Sequence, residues 1–540
     1  MASVKVAYVG GGSTRAPGTV ASLLERAVGF AGSEVVLIDL DEERLALVRR
    51  FGERLAKAKG ASVTFRATTD RRAGLADCDA VLTAFRPGGF EARVIDERVP
   101  LKHDVIGQET QGPGGFFMAL RSVHVMKEIC KDIEAVCPKA RIFNYTNPVN
   151  IVSQAVATNS EVRIASFCEG PILFPRFLAE AAGLDPEELD VTMVGVNHNC
   201  WSVRHEYKGT DLIAAIRERY EERMSDPSLS NLQRRMLHLS TVMDAVPSEY
   251  FQYYYFKPEV LAELKAKPTT RSEDILAKVP DYWRHYREQA ESDNPQLDPG
   301  RSRGGIHELE LALDAMDAVF NDKGSVLPVN ILNTGGPAAG FDENVVVELP
   351  CRVDKNGFTP IAQPALKPAV RGLVEMLAEY QVAAAEAAWA GDRQSAIRAL
   401  VANPLVFSLA KAEAVYDEMA RALAPFLPER LRGQLRLYWG STAATPRPLP
   451  SSPLPPGTCS GPGLGHAVTS MGQHPHRRHS MCSSRLSGRL SPRRVSPRRT
   501  LRPRSGASQV LIGQRTMSST GWSYLVARVS RVESGSSTTE

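Results

Sequence analysis

The sequence predicts an α/β protein whose first 165 residues form a doubly wound domain. A second, helix-rich α+β half follows, and then a tail with no fold of its own. Three observations lead there. Short β-branched runs alternate with longer helical patterns near the N-terminus; helical periodicity dominates the middle; and the composition breaks abruptly near residue 437.

The apolar runs Val4 to Val9, Glu34 to Asp39, Ala80 to Ala84 and Arg141 to Tyr145 are the strands of the first region. Helical segments such as Thr19 to Arg26 and Glu42 to Lys59 lie between them, giving the βαβ rhythm of a parallel sheet covered on both faces. From residue 166 the rhythm loosens. Strands Val162 to Phe167 and Val191 to Val196 lead into polar turns, and Val370, Leu373, Leu377 and Gln381 recur at helical spacing. Residues 1–165 are therefore read as one doubly wound domain and 166–436 as a second, helix-rich α+β domain.

Residues 441–540 hold 14 Arg and 2 Glu but no Lys or Asp, a net charge of +12, while the preceding 440 residues carry −8. Pro, Ser and Arg supply 45 of those last 100 residues, too little apolar surface to offset ordering entropy, so disorder is expected over 437–540. An Arg/Ser-rich interaction segment and a non-native extension are the two readings of this tail; the sudden loss of Lys and Asp favours the second. The bulk of the chain shows no basic stripe interleaved with aromatics, which argues against a specific nucleic-acid partner. No apolar run reaches membrane-spanning length, and no secretory leader precedes the first strand. Eight scattered cysteines lack zinc-finger pairing or disulfide density, so the economical reading is a cytoplasmic protein.

The first strand ends in Gly10-Gly11-Gly12-Ser13-Thr14 before a helix, a place where backbone amides can meet a pyrophosphate. Asp39 ends the second strand 29 residues after Gly10, where a carboxylate can accept from both ribose hydroxyls and disfavour a 2′-phosphate. Together they point to a Rossmann-like site for NAD. A glycine turn of another α/β fold, with Asp39 merely capping a loop, is the bland alternative.

Cys168 follows one strand and His198 another, so both can project into the crevice where open α/β sheets bind ligands. A thiolate and an imidazole leave coordination positions open for substrate oxygens, which suits a catalytic ion. Taken singly, each is more often a core residue. Tyr250-Phe251-Gln252-Tyr253-Tyr254-Tyr255 is unusually dense in phenols, and Arg271 follows Tyr250 by 21 residues. A phenol becomes a base only beside a cation that lowers its pKa of about 10.

GGGST, AFRPGG (84–89), IGQETQGPGG (106–115), NYTNPVN (144–150), SFCEGP (166–171), GVNHNCW (195–201) and EYFQYYYF (249–256) together resemble glycoside hydrolase family 4. So do RGGIH (303–307), VNILNTG (329–335), VVVELPC (345–351) and NPLV (403–406). The resemblance runs to about residue 436. It implies a fold like lactate and malate dehydrogenase and an NAD- and Mn²⁺-dependent route to glycoside hydrolysis. Carbon 3 of the sugar is oxidised, carbon 2 loses a proton, the aglycone is eliminated, water adds and the ketone is re-reduced.

By the same resemblance Cys168 and His198 are metal ligands, and Tyr250 is the base with Tyr253 in reserve. Arg86 and Asn147 contact the sugar and its phosphate, Arg271 accompanies the base, and Glu109 helps to organise the site. The motifs lie nearest the 6-phospho-β-glucosidases. Glu169, however, follows the metal cysteine where that subgroup commonly has Asn; it is read as a general acid or as a support for the metal site. A 6-phospho-α-glucosidase or α-galactosidase of the same family, an NAD-dependent 2-hydroxy acid dehydrogenase and a non-catalytic NAD sensor stay open beside this reading. Family habit adds a homodimer or homotetramer.

Overall fold

A computed structural model describes residues 2–303 and 310–432, together with two strands at 514–518 and 521–525. The N-terminal region supplies six strands: β1 (Lys5–Val9), β2 (Ser33–Ile38), β3 (Val63–Thr68), β4 (Ala80–Thr83), β5 (Arg141–Asn144) and β6 (Arg163–Ser166). They pair in parallel in the order 3-2-1-4-5-6, the doubly wound arrangement in which ligands bind beyond the carboxyl ends of the strands. β1 and β4 are almost wholly buried, as central strands covered on both faces must be.

Helix Glu42–Lys59 has the bounds its sequence predicts. The Asp41 side chain caps its N-terminus by accepting from the Arg44 amide, and Gly60 closes it in the left-handed region at φ +63°. β3 was missing from the sequence reading; it is an edge strand whose mixed exposure leaves no continuous apolar run.

Beyond β6 the sheet continues with antiparallel pairing. β7 (Leu189–Val196), β8 (Asn199–Tyr207), β9 (Thr210–Asp211), β10 (Ser325–Leu332), β11 (Val346–Asp354) and β12 (Gly357–Pro360) complete a twelve-stranded layer among the described residues. Spatially β6 is followed by β10, β11, β7, β8 and β9, with β12 on β11. Residue 165, where the sequence reading divides the chain, falls inside β6.

Helix Gly112–Val136 packs on helix Gly89–Lys102 and on helix Pro368–Trp389. The first of these contacts holds a fully buried ion pair: Arg121 donates to Asp96 through two guanidinium nitrogens, at 2.9 and 2.6 Å. Such a pair persists only because both charges are compensated.

No helix among the described residues is long and apolar enough to cross a membrane, and the six described cysteines are free. The disorder expected over 437–540 lies outside the described residues. The exception is the antiparallel pair Gln514–Ser518 and Gly521–Leu525, built on a proline-free stretch with Thr, Trp, Tyr and Leu.

Candidate active site

The carboxyl ends of β1, β5 and β6 open towards a single cleft of about 1480 Å³. Its walls include Arg15, Glu109, Asn147, Cys168, Glu169, His198, Tyr250, Tyr253 and Arg271. The glycine turn lies beside it. Gly10 and Gly11 donate to the Ile38 carbonyl at 2.9 and 3.1 Å, and Gly12 donates to Asp39 Oδ2 at 2.9 Å. Asp39 Oδ1 accepts from the Leu40 amide, so the carboxylate is fixed at the lip of the turn. Tyr286 donates its hydroxyl to the Thr14 carbonyl at 2.8 Å, tying helix Arg271–Glu291 to the turn. Helix Ala16–Glu25 begins just after Arg15 with no side-chain cap; its Ala16 amide donates to the Ser13 carbonyl at 3.0 Å and Pro17 carries no N–H, so the helix start is braced against the turn. This cradle, closed below by Asp39, fits a dinucleotide.

Cys168 sits two residues beyond Ser166, the last residue of β6, and its sulfur accepts from the Gly170 amide at 3.3 Å. Burial first, and then the nearby Glu348 carboxylate, push the thiol up to about 12. His198 occupies the tight turn between β7 and β8 at φ +67° and is 7% exposed. Its Nδ1 pairs with the Thr110 hydroxyl at 2.8 Å, which leaves Nε2 for a ligand, and burial drives the ring down to about 4. A neutral imidazole with one nitrogen held and one available, lining the same cleft as a thiol that loses its proton readily only near positive charge, is a donor set that fits a divalent cation. Among the described residues no cluster of three or more His, Cys, Asp or Glu competes with it.

The Tyr250 ring stacks on His198 with centroids 4.0 Å apart and planes 5° apart. Ser248 couples the two turns: its hydroxyl donates to the His198 carbonyl at 2.5 Å and accepts from the Tyr250 amide at 3.2 Å. Burial above all holds the Tyr250 phenol well above its ordinary value, and Tyr253 is pushed up to about 12. Tyr253 lies 6.2 Å from Tyr250, ring to ring.

Glu109 is gripped between Arg86 and Arg93. Burial favours its neutral form, but the two guanidinium groups override this and hold the carboxyl far below the usual range. Arg86 is thus directed into this ion pair and against Phe90, and it is Glu109 that reaches the cleft wall. The QETQGPGG motif acquires a physical reason here. A Cβ at Gly114 would lie 2.3 Å from the Gln108 carbonyl oxygen, so only glycine lets the helix start pack against the loop bearing Glu109 and Thr110.

Glu169 accepts from the Tyr145 hydroxyl at 3.0 Å and from the Leu311 amide at 3.4 Å. Asn147 precedes a cis proline, and its carbonyl accepts from Ser122. Arg271 is the first residue of its helix, behind the Thr270 cap.

Sequence reasoning missed Thr110, Arg93, Ser248 and Glu348. Thr110 and Glu348 lie within the motifs IGQETQGPGG and VVVELPC; Arg93 and Ser248 carry no local signal.

Residues 5–184 match the model of the family 4 glycosyl hydrolases, and residues 193–406 match that of the family 4 glycosyl hydrolase C-terminal domain. The chain is 34% identical over 439 residues to a probable 6-phospho-beta-glucosidase of Bacillus subtilis (strain 168), covering 79% of this chain and 98% of the relative. It is 27% identical to the 6-phospho-alpha-glucosidase of Leptotrichia buccalis, covering 79% and 99%. A crystal structure of a 6-phospho-alpha-glucosidase from gut microorganisms, in complex with NAD and Mn²⁺, superposes with a TM-score of 0.70 at 26% identity, covering 79% of this chain and all of that one. With both halves of the chain matched between residues 5 and 406, and a relative one-third identical along nearly its whole length, the chain belongs to family 4 of the glycosyl hydrolases.

Proposed function

We propose that this protein hydrolyses 6-phosphorylated glucosides, β in preference to α, using NAD and Mn²⁺. On this reading residues 1–165 hold the dinucleotide and 166–436 carry the catalytic and oligomerisation elements, in a cytoplasmic homodimer or homotetramer. The observation that carries it is the meeting of Cys168, His198 and Tyr250 on one cleft wall, with the imidazole stacked on the phenol. The names of the B. subtilis and L. buccalis relatives and the NAD and Mn²⁺ of the gut enzyme support the substrate class and the cofactors.

When bound, NAD supplies a hydride acceptor, and later donor, for carbon 3 of the sugar, and the divalent ion supplies a Lewis acid for the oxygens on carbons 2 and 3. Cys168 Sγ and His198 Nε2 hold the ion; the Thr110 hydroxyl donates to Gln108 Oε1 and so accepts from His198 Nδ1, the tautomer that leaves Nε2 open. The turn from Gly10 to Thr14 takes the pyrophosphate, its Gly10, Gly11 and Gly12 amides bracing the loop on Ile38 and Asp39, and Asp39 accepts from the ribose hydroxyls. Tyr250 takes the proton from carbon 2. Its raised pKa in the protein alone means that its phenolate forms only with a cation close by, so proton removal is confined to the loaded site. Glu169 donates a proton to the leaving oxygen, its carboxyl oriented by Tyr145. Asn147 and Arg271 bind the sugar and its phosphate from the wall, and Arg86 acts there with Glu109.

The test is a panel of p-nitrophenyl glucosides, α and β, with and without the 6-phosphate, assayed with NAD, Mn²⁺ and a reductant. Nitrophenol release from the phosphorylated β-glucoside, requiring both additions and leaving no net NADH, is the expected result. Stoichiometric NADH without aglycone release would mark a dehydrogenase instead, and cleavage at full rate after stripping both cofactors would end this reading.

A further inference from the structure

Behind the Cys168 and His198 wall, four strands meet along one line of paired residues. Ser166 of β6 pairs with Asn330 of β10, Asn330 with Glu348 of β11, and Glu348 with Gly195 of β7. Ser166 lies two residues before Cys168 and Gly195 three before His198, so this line joins the two chain segments that carry the proposed ligands. At its centre is a carboxylate. Glu348 is 1% exposed, and its Oε1 accepts from Asn330 Nδ2 at 2.8 Å and from Asn197 Nδ2 at 2.9 Å. The Asn330 amide also reaches the Ser166 carbonyl, at 3.4 Å, and Asn197 is the immediate neighbour of His198. No cation of the protein is paired with Glu348 among the described residues. Both of its amide partners are neutral and nearly fully buried.

A carboxyl in a protein core is driven towards its neutral form, as burial pushes Glu348 up to about 7, and it carries its charge at little cost only where a positive charge answers it. A dication at Cys168 and His198 is such a charge: one thiolate and one carboxylate balance it, and the neutral imidazole adds nothing. We propose that Glu348 is the positioning residue of the divalent-ion site, tying the Cys168 strand end to the His198 turn through Asn330 and Asn197 and supplying the second negative charge that the ion needs. The inference rests on the divalent-ion reading of Cys168 and His198 above. Glu348 lies outside the cleft wall, so it acts through the ligands and not on the substrate.

Mn²⁺ binding to the purified full chain, followed by electron paramagnetic resonance without substrate, tests this, with Co²⁺ as a second probe through its thiolate charge-transfer band. Glu348→Gln keeps the volume and an acceptor oxygen but removes the charge. It is expected to weaken Mn²⁺ binding by about tenfold or more and to shift the Co²⁺ band, with thermal unfolding of the metal-free protein little changed. Glu348→Asp, which restores the charge on a shorter arm, should recover part of the affinity. Asn330→Ala leaves the carboxyl in place and removes the side-chain hydrogen bonds to Glu348 and to Ser166; it should alter the Co²⁺ band and gives an independent reading if Glu348→Gln does not fold. Wild-type affinity and an unchanged band in Glu348→Gln or in Asn330→Ala, while Cys168→Ser abolishes binding, would overturn the role of Glu348 alone. Failure of the wild type to bind Mn²⁺, or indifference to Cys168→Ser, would instead remove the ion site itself and this role with it.

Discussion

His198 and Tyr250 are stacked face to face, 4.0 Å between centroids and 5° between planes, and Ser248 hydrogen-bonds to the backbone of both. A ligand to the ion and a base for the sugar are thereby held as one unit, although 52 residues of sequence separate them. Tyr250→Phe keeps the stack and removes only the hydroxyl. It should lower kcat by about 10²-fold or more and suppress exchange of the carbon 2 hydrogen with deuterated solvent. Mn²⁺ affinity should be unaltered. Exchange at the wild-type rate would transfer the base role to Tyr253 or to water.

Thr110→Val removes the partner of His198 Nδ1 at nearly constant volume. The ring then loses its fixed tautomer and orientation, and Mn²⁺ affinity measured by calorimetry should fall by about 10- to 100-fold. An unchanged affinity would mean that packing against Tyr250 suffices to orient the ring.

Glu109 is expected to contribute stability that depends on pH in the acid range. Its folded-state pKa is depressed by Arg86 and Arg93 despite burial. A depressed carboxyl contributes stability that is fully present above its unfolded pKa of about 4.3 and is lost as pH falls towards its folded value. Glu109→Gln leaves the half-buried Arg86 guanidinium without its anion, while Arg93 retains Glu97, and should cost about 1–3 kcal/mol near neutral pH. Urea unfolding from neutral pH down to pH 3 checks the sign: the gap between wild type and variant should narrow as the pH falls below the unfolded pKa.

Gly10→Ala probes the dinucleotide turn. Gly10 has φ +101°, and an added Cβ would sit 2.3 Å from the Ala84 carbonyl oxygen, a backbone atom that cannot rotate away. Overpacking and backbone strain should together destabilise the fold by about 1–3 kcal/mol or more in urea unfolding. A loss below about 0.5 kcal/mol would show that the turn relaxes freely.

Asp39→Ala removes the proposed ribose acceptor and the partner of the Gly12 amide. NAD affinity, followed by fluorescence titration, should drop about tenfold or more, and the preference for NAD over NADP should narrow. An unchanged preference would leave Asp39 with a purely structural part beneath the turn.

By itself the sequence determined the features written in local physics. The apolar runs of β1, β2, β4, β5 and β6, and the span of helix Glu42–Lys59 between its Asp41 cap and Gly60, follow from side-chain periodicity and capping within a few residues of each position. The site-bearing motifs were legible for the same reason, since Cys168 and His198 each stand just past a readable strand. Tertiary structure alone decided which of these meet and what supports them. The hydrogen bond from Asn197 to Glu348 spans 151 residues, and that from Thr110 to His198 spans 88. The strand order that makes the first possible, β6-β10-β11-β7, departs from chain order altogether. Arg86 shows the same limit from the other side: its motif marks it as a site residue, and only the fold brings its guanidinium onto Glu109, which Arg93 also holds. Such partnerships depend on where distant segments pack, and no local periodicity encodes that.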